Sequence, residues 1–147
     1  MTQGAYQERT GRFAAMLIKQ AAWPAAVVIA GDSIAPLVAS ARGALHAPLA
    51  MLGLLGAAAS AVVVLGLSAL LFFDALLFRL MATYDGELSG GAAVDDLLAR
   101  MRLKPAPAAP RPLDDRIAGT RRLLARQRIA FAIFVVAFLW AGFWMPR

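Results

Sequence analysis

Asp32 is the residue of this sequence best placed to do chemistry, because it is a carboxylate inside an apolar stretch. A carboxylate within a membrane is costly and is normally paired, protonated or hydrated. Pro36 lies four residues later and lacks an N–H, so the carbonyl of Asp32 loses its helical donor. Together with the Ser33 hydroxyl, these groups predict an intramembrane polar site that binds a cation or relays a proton. The alternative is a kinked helix whose polar groups are satisfied by Ser33, by water or by a neighbouring subunit.

Other groups that could support catalysis are few. The sequence has no cysteine, which excludes disulfides, thiolate metal sites and cysteine nucleophiles. Its one histidine, His46, could ligate a metal or a pigment only with help from a partner, and a solvated position at the membrane surface is the simpler interpretation. No phosphate-binding glycine loop, Gly-x-Ser-x-Gly elbow or His-Glu-x-x-His helix occurs. We therefore predict that the protein is not an enzyme and has no metal or cofactor of its own.

A second acidic residue, Asp74, is expected at the cytoplasmic end of the second apolar segment, level with Arg126 and Arg128 of the third. The simpler expectation is an ion pair at the membrane surface. A proton path from Asp32 to Asp74 would have to cross most of the bilayer, and we do not favour it.

Small residues recur at three- and four-residue spacing along one face of the second apolar segment. Such residues allow another helix to approach closely in a membrane. The spacing predicts a helix-packing face whose partner is either another helix of this chain or a foreign subunit. The face consists of Gly53, Gly56, Ala57 and Ser60.

The elements that hold these residues follow from the composition. With 61% apolar residues and a mean hydropathy of +0.66, the chain is too apolar for an ordinary soluble fold. Three stretches are long and apolar enough to cross a membrane: 20–41, kinked near Asp32 and Pro36; 48–78, which is longer than one crossing needs; and 113–145, a long helix that ends in the third crossing. The sequence thus predicts an all-α integral membrane protein with three transmembrane helices.

The direction of the helices follows from the basic residues, which are retained on the cytoplasmic side of a membrane. Three of the 15 Lys and Arg residues lie in the amino-terminal segment 1–19, and ten lie between residues 79 and 128. We therefore expect a multi-pass protein of the bacterial inner membrane with its amino terminus inside and its carboxyl terminus outside. Aromatic residues fit this orientation: Trp23 and Tyr84 near the inner boundary, and Trp140, Phe143 and Trp144 near the outer one.

The amino-terminal third also has the layout of a secretory signal. Basic residues precede an apolar stretch, and Ala39-Ser40-Ala41 resembles a cleavage site. Asp32 and Pro36 fit poorly in the apolar core of a signal, so a retained transmembrane helix is the favoured interpretation.

The cytoplasmic loop is expected over residues 79–112. Asp85-Gly86 and Gly90-Gly91 predict turns, and 92–103 predicts a short amphipathic helix. The helix could lie on the membrane, dock a partner or pack within the loop. Alternating prolines over 104–112 predict an extended spacer. The apolar face of the short helix would be formed by Val94, Leu97, Leu98 and Met101.

A run of arginines surrounds the inner end of the third crossing and is expected to contact anionic phospholipids or an acidic partner. Because the +6 net charge flanks apolar segments, nucleic acid is not the expected partner. The run consists of Arg116, Arg121, Arg122, Arg126 and Arg128.

The sequence has a helix-packing face and many basic residues but few side chains that could take part in catalysis. The leading hypothesis is therefore a small accessory or scaffold subunit of a larger inner-membrane complex, with other membrane subunits as partners. The alternative is a homo-oligomeric channel, holin-like pore or small transporter that uses Asp32. A membrane enzyme acting on lipid is disfavoured, because the cytoplasmic boundary lacks histidine and clustered carboxylates.

Overall fold

The computed structural model describes residues 3–43, 46–103 and 112–145. All regular elements within these ranges are helices. Most of the predicted proline-rich spacer at 104–112 lies outside the described residues. The prediction of an all-helical chain is confirmed for the described part.

Four helices make up the described chain: α1 (Gln3–Ala41), α2 (Pro48–Met81), α3 (Glu87–Arg100) and α4 (Leu113–Phe143). Of these, α1, α2 and α4 are long and apolar enough to cross a membrane, which confirms three potential spans. At ~1.5 Å per residue they extend over about 58, 51 and 46 Å, well beyond a hydrocarbon core of ~30 Å. Each helix therefore has residues to spare outside the apolar layer.

The observed helix ends differ in part from the expected ones. The predicted first crossing, 20–41, is only the second half of α1, because residues 3–19 are helical too. Pro24 and Pro36 both lie inside α1 without ending it. A proline removes one helical hydrogen bond, and the bonds of the flanking turns can carry the helix past it. The second helix extends three residues beyond the predicted 78, and α4 stops two residues short of the predicted 145.

The chain divides into two compact units, and each long helix contributes to both. Unit 1 contains Met1–Gln20 and Leu70–Leu123, and unit 2 contains Ala21–Ala69 and Leu124–Arg147. Most of the charged residues belong to unit 1. Unit 2 therefore holds the most apolar parts of α1, α2 and α4.

Unit 2 has a core made by three helices. Alanines on α2 leave room for the ring of Phe134 from α4, and Val28 from α1 completes the contact. Close helix packing through small residues is the usual means of association inside a membrane, where burying apolar surface from lipid gains little. The buried members of this core are Val28, Ala57, Ala61, Val64, Ala130 and Phe134.

Unit 1 has a core of its own, in which larger side chains meet. The rings of Phe13 and Phe78 pack edge to face with centroids 4.9 Å apart. Leu17, Leu71 and Met81 are at most 1% exposed. Aromatic contacts of this geometry contribute about 0.5–1.5 kcal/mol beyond the area they bury.

The prediction of a turn at Gly90-Gly91 is wrong, because both glycines lie within α3 and are buried. A Cβ on Gly90 would lie 2.6 Å from the Tyr6 hydroxyl oxygen and 3.1 Å from the Met81 carbonyl oxygen. Glycine here provides close packing of α3 rather than a bend in the chain. The glycine pair gives no local sign of this, because Tyr6 and Met81 are distant in sequence.

The position of α3 also differs from the predicted 92–103, since it begins five residues earlier and ends three earlier. Of the four residues expected on its apolar face, Val94 is buried, Leu97 and Leu98 are half-buried and Met101 is exposed beyond the helix end. Of these four residues, Val94 is therefore the one that α3 buries most fully.

Candidate functional site

Asp32 lies in the part of α1 that belongs to unit 2 and is partly exposed. Its neighbour Ser33 donates a hydrogen bond to the Ile29 carbonyl oxygen at 2.7 Å. The Ser33 hydroxyl is thus used within α1, one turn before Pro36. The two residues of the predicted polar site are adjacent in sequence, but Ser33 is not a hydrogen-bond partner of Asp32.

A cavity of about 540 Å³ lies beside Asp32, between α1, α2 and α4 of unit 2. Its walls are mostly apolar and include Met51, Leu54, Leu55 and Phe138. Asp32 and Ser40 contribute the polar side chains among its eleven lining residues, and Ser40 donates its hydroxyl hydrogen to the Leu37 carbonyl oxygen at 3.0 Å. Asp32 therefore supplies the one charged group of a mostly apolar space.

The predicted small face of α2 packs against α4 of the same chain. A Cβ on Gly53 would lie 2.8 Å from the Ala141 backbone nitrogen, and one on Gly56 would lie 3.6 Å from the Ala137 Cβ. Ala57 and Ser60 are buried on the same face, and the Ser60 hydroxyl bonds back to the Gly56 and Ala57 carbonyl oxygens. The contact seen for this face is thus within the chain.

The five arginines expected at the inner end of the third crossing have two different environments. Arg121, Arg122, Arg126 and Arg128 are exposed along two turns of α4. Arg116 instead forms an ion pair with Asp95 of α3 at 2.7 Å, and the two side chains are only 13% and 12% exposed. Arg116 is therefore used inside unit 1, and we exclude it from the proposed lipid-contacting group.

The sequence predicts an ion pair for Asp74, and the structure gives it a neutral hydrogen-bond partner within unit 1. Its Oδ2 atom accepts a hydrogen bond from the Thr120 hydroxyl at 2.8 Å. Thr120 is 4% exposed and lies on the buried face of α4. The partner of Asp74 is thus the neutral Thr120 hydroxyl of α4, whereas the sequence suggested an arginine.

A second cavity, of about 530 Å³, lies in unit 1 beside these two contacts. Asp74, Asp95, Asp115, Arg116 and Thr120 supply its polar wall, and Phe78, Val94 and Leu98 are among its apolar lining residues. Since Asp74 is bonded to Thr120 and Asp95 to Arg116, two of the three carboxylates already have partners. These polar side chains therefore mainly connect helices, and the cavity has few groups that are available for a reaction.

Sequence reasoning missed Gln127, which is fully buried between three helices of unit 2. Its Nε2 atom donates to the Ser68 Oγ atom at 2.7 Å and points to the Ala21 carbonyl oxygen at 3.4 Å. Ser68 in turn donates to the Val64 carbonyl oxygen at 2.8 Å. Gln127 is flanked by Arg126 and Arg128, so local polarity hides its buried position. Its seven-residue distance from buried Thr120 and from buried Phe134 was the available signal.

No group of three or more potential metal ligands occurs among the described residues. His46 is exposed in the link between α1 and α2.

Comparisons with protein-family models, with curated proteins and with solved structures find no match to this chain.

Proposed function

We propose that the protein is a small accessory or scaffold subunit of a larger complex in the bacterial inner membrane, with its amino terminus inside and its carboxyl terminus outside. It would stabilise assembly by helix packing and by contacts with anionic phospholipids. The proposal rests mainly on an apolar groove in unit 2 whose shape suits a further transmembrane helix.

The portions of the three long helices in unit 2 match the thickness of a membrane. They cover residues 21–41, 48–69 and 124–143, which at ~1.5 Å per residue extend over about 30–33 Å against a core of ~30 Å. Large apolar side chains on them are exposed, among them Leu52, Val62, Ile133 and Val136. Such exposure is normal against lipid or another subunit and would be unfavourable in water. This supports a membrane position for unit 2.

The groove lies between α2 and α4 of unit 2 and has a volume of about 460 Å³. Gly53, Ala132 and Ala137 are its small lining residues, and the large ones are Leu52, Ile133, Val136 and Trp140. Small residues beside large ones let a second helix insert a ridge of side chains at short distance. Because apolar burial gains little in lipid, such shape complementarity is a main source of helix association there. We therefore assign the groove to a helix of a partner subunit.

The exposed arginines of α4 support the lipid part of the proposal. Arg121, Arg122, Arg126 and Arg128 lie around the start of the apolar portion of α4, at the expected depth of phosphate head groups. Each basic residue near an anionic surface contributes about 1 kcal/mol. Together with Lys19, which is exposed on α1 just before its most apolar stretch, they favour a negatively charged inner leaflet.

The test uses Ala132→Trp, which fills the groove, and Ala59→Trp, a matched change at an exposed alanine of α2 outside it. Tagged variants are expressed at native level, membrane insertion is checked, and co-purifying chains are quantified by mass spectrometry. We expect Ala132→Trp to lose a defined set of membrane proteins at least tenfold and Ala59→Trp to keep them. Equal recovery by both variants would contradict the groove as the interface. Recovery of this chain alone, as a defined oligomer, would favour the channel alternative.

A further inference from the structure

We propose that the cavity beside Asp32 is a binding site for an amphiphilic amine, held by its protonated nitrogen at the Asp32 carboxylate and by its hydrocarbon part against the apolar walls. This site would belong to the chain itself. It is independent of the groove between α2 and α4 and of the subunit role proposed above.

The first support is the state of the carboxylate. Within the described part of the chain, the Asp32 side chain makes no hydrogen bond or ion pair, whereas Asp74 and Asp95 are both bonded to side chains of other helices. An ionised group in a membrane without a partner is strongly unfavourable. A ligand cation at this position would replace that missing partner.

The second support is the depth of Asp32. It lies near the middle of residues 21–41, so at ~1.5 Å per residue about 15 Å of helix separates it from either end. An amine in a lipid head group remains at the membrane surface and would not reach this level. The site therefore favours a small amphiphile that enters the apolar layer over an aminophospholipid of the bilayer.

The third support is the composition of the cavity. A volume of about 540 Å³ with one charged group and apolar walls matches the usual form of a small-molecule site. Met51, Leu54, Leu55 and Phe138 provide adaptable and aromatic surface for a hydrocarbon chain. Methionine and aromatic side chains accept varied apolar shapes, and a cation beside an aromatic ring gains further attraction.

The backbone of Asp32 supplies a second acceptor. Pro36 lines the cavity, and its ring replaces the N–H that would otherwise bond the Asp32 carbonyl oxygen. A protonated amine with N–H groups could donate to both acceptors, whereas a quaternary ammonium could pair only with the charge. The site should therefore prefer a primary amine to a trimethylammonium of the same chain length.

The experiment measures binding of radiolabelled decylamine to the full chain in phosphatidylcholine vesicles, with protein-free vesicles to subtract partition into lipid. Wild type should show a saturable component near one molecule per chain. Asp32→Asn should weaken it at least tenfold, and Ala58→Leu, which fills the cavity at an exposed position, should weaken it similarly. The matched control Ser33→Ala should bind as wild type, because its hydroxyl is used within α1.

Competition by unlabelled compounds completes the test. Decanol should displace the label at least tenfold less well than decylamine, since it lacks the charge, and decyltrimethylammonium should be intermediate. Absence of a saturable component in wild type, or equal binding by wild type and Asp32→Asn, would overturn the site. Displacement by decanol as strong as by decylamine would overturn the assignment of a cation.

Discussion

Arg116 of α4 and Asp95 of α3 form an ion pair at 2.7 Å in which both side chains are largely buried. The next residue, Asp96, also pairs with an arginine, Arg100, at 2.8 Å, but on the exposed surface of α3 itself. Of these two neighbouring aspartates, Asp95 therefore links α3 to α4, whereas Asp96 makes a contact only within α3.

Asp95→Ala should destabilise the protein by about 3 kcal/mol, because it removes the carboxylate that neutralises the largely buried Arg116 guanidinium. Asp96→Ala is the matched control and should change stability by less than about 0.5 kcal/mol, the usual range for an exposed pair within a helix. Unfolding in a mild detergent titrated with a denaturing one would measure both. Equal effects of the two substitutions would contradict a structural role for the Asp95–Arg116 pair.

Gly53→Ala should also destabilise, since its methyl group would lie within 3 Å of the Ala141 backbone and side chain. Backbone cannot rotate away as a flexible side chain can, so a loss of about 1–3 kcal/mol is expected from overpacking. Gly66 on the same helix has open space at its Cβ position. Gly66→Ala should therefore be neutral or stabilising by up to about 1 kcal/mol, because alanine favours a helix. The same denaturation assay compares the two, and a harmless Gly53→Ala would place α4 farther from α2.

Gln127 and Ser68 should show coupled energies. Gln127→Leu and Ser68→Ala each remove the bond between them, so the double variant should lose less stability than the sum of the single ones. A coupling of about 0.6–1.7 kcal/mol is expected for a polar contact between membrane helices. A double-mutant cycle measures it directly, and additive effects would mean that the two side chains do not interact.

The proposed orientation predicts the outcome of reporter fusions. A reporter that works only in the cytoplasm should be active after Pro107 and inactive after Arg147, because the loop carries most of the basic residues. A periplasmic reporter should give the reverse pattern at the two sites. Cytoplasmic activity at both positions would require an even number of crossings between them and would contradict the three-span arrangement.

The sequence was sufficient to predict the long helices, because apolar runs of this length have few other stable forms. It also showed the small face of α2, since Gly53, Gly56, Ala57 and Ser60 keep helical spacing. Whether this face met the same chain could not be inferred, because the partner residue Ala141 lies far away in sequence.

The polar contacts were the part that sequence reasoning could not supply. In the sequence, Arg116 cannot be told from the other arginines of α4, because its ion-pair partner Asp95 lies on α3. Asp74 is likewise bonded to the neutral Thr120 rather than to a cation. The Gly90-Gly91 pair is typical of a turn in sequence, but in the structure Tyr6 and Met81 lie so close to Gly90 that a side chain there would not fit. In each case the contacting residue belongs to another helix, so the spacing of residues within one helix could not predict the contact.

The buried amide of Gln127 has a consequence for biogenesis. Its hydrogen-bond partners, the Ser68 hydroxyl and the Ala21 carbonyl, belong to α2 and α1, which a ribosome makes before α4. When α4 emerges, moving the Gln127 amide out of water without a hydrogen-bond partner costs a few kcal/mol, so its burial is favoured where those two helices already stand together in the membrane. We therefore expect the amino-terminal helix pair to assist insertion of the last helix, and damage to that pair to appear first as a failure to integrate α4.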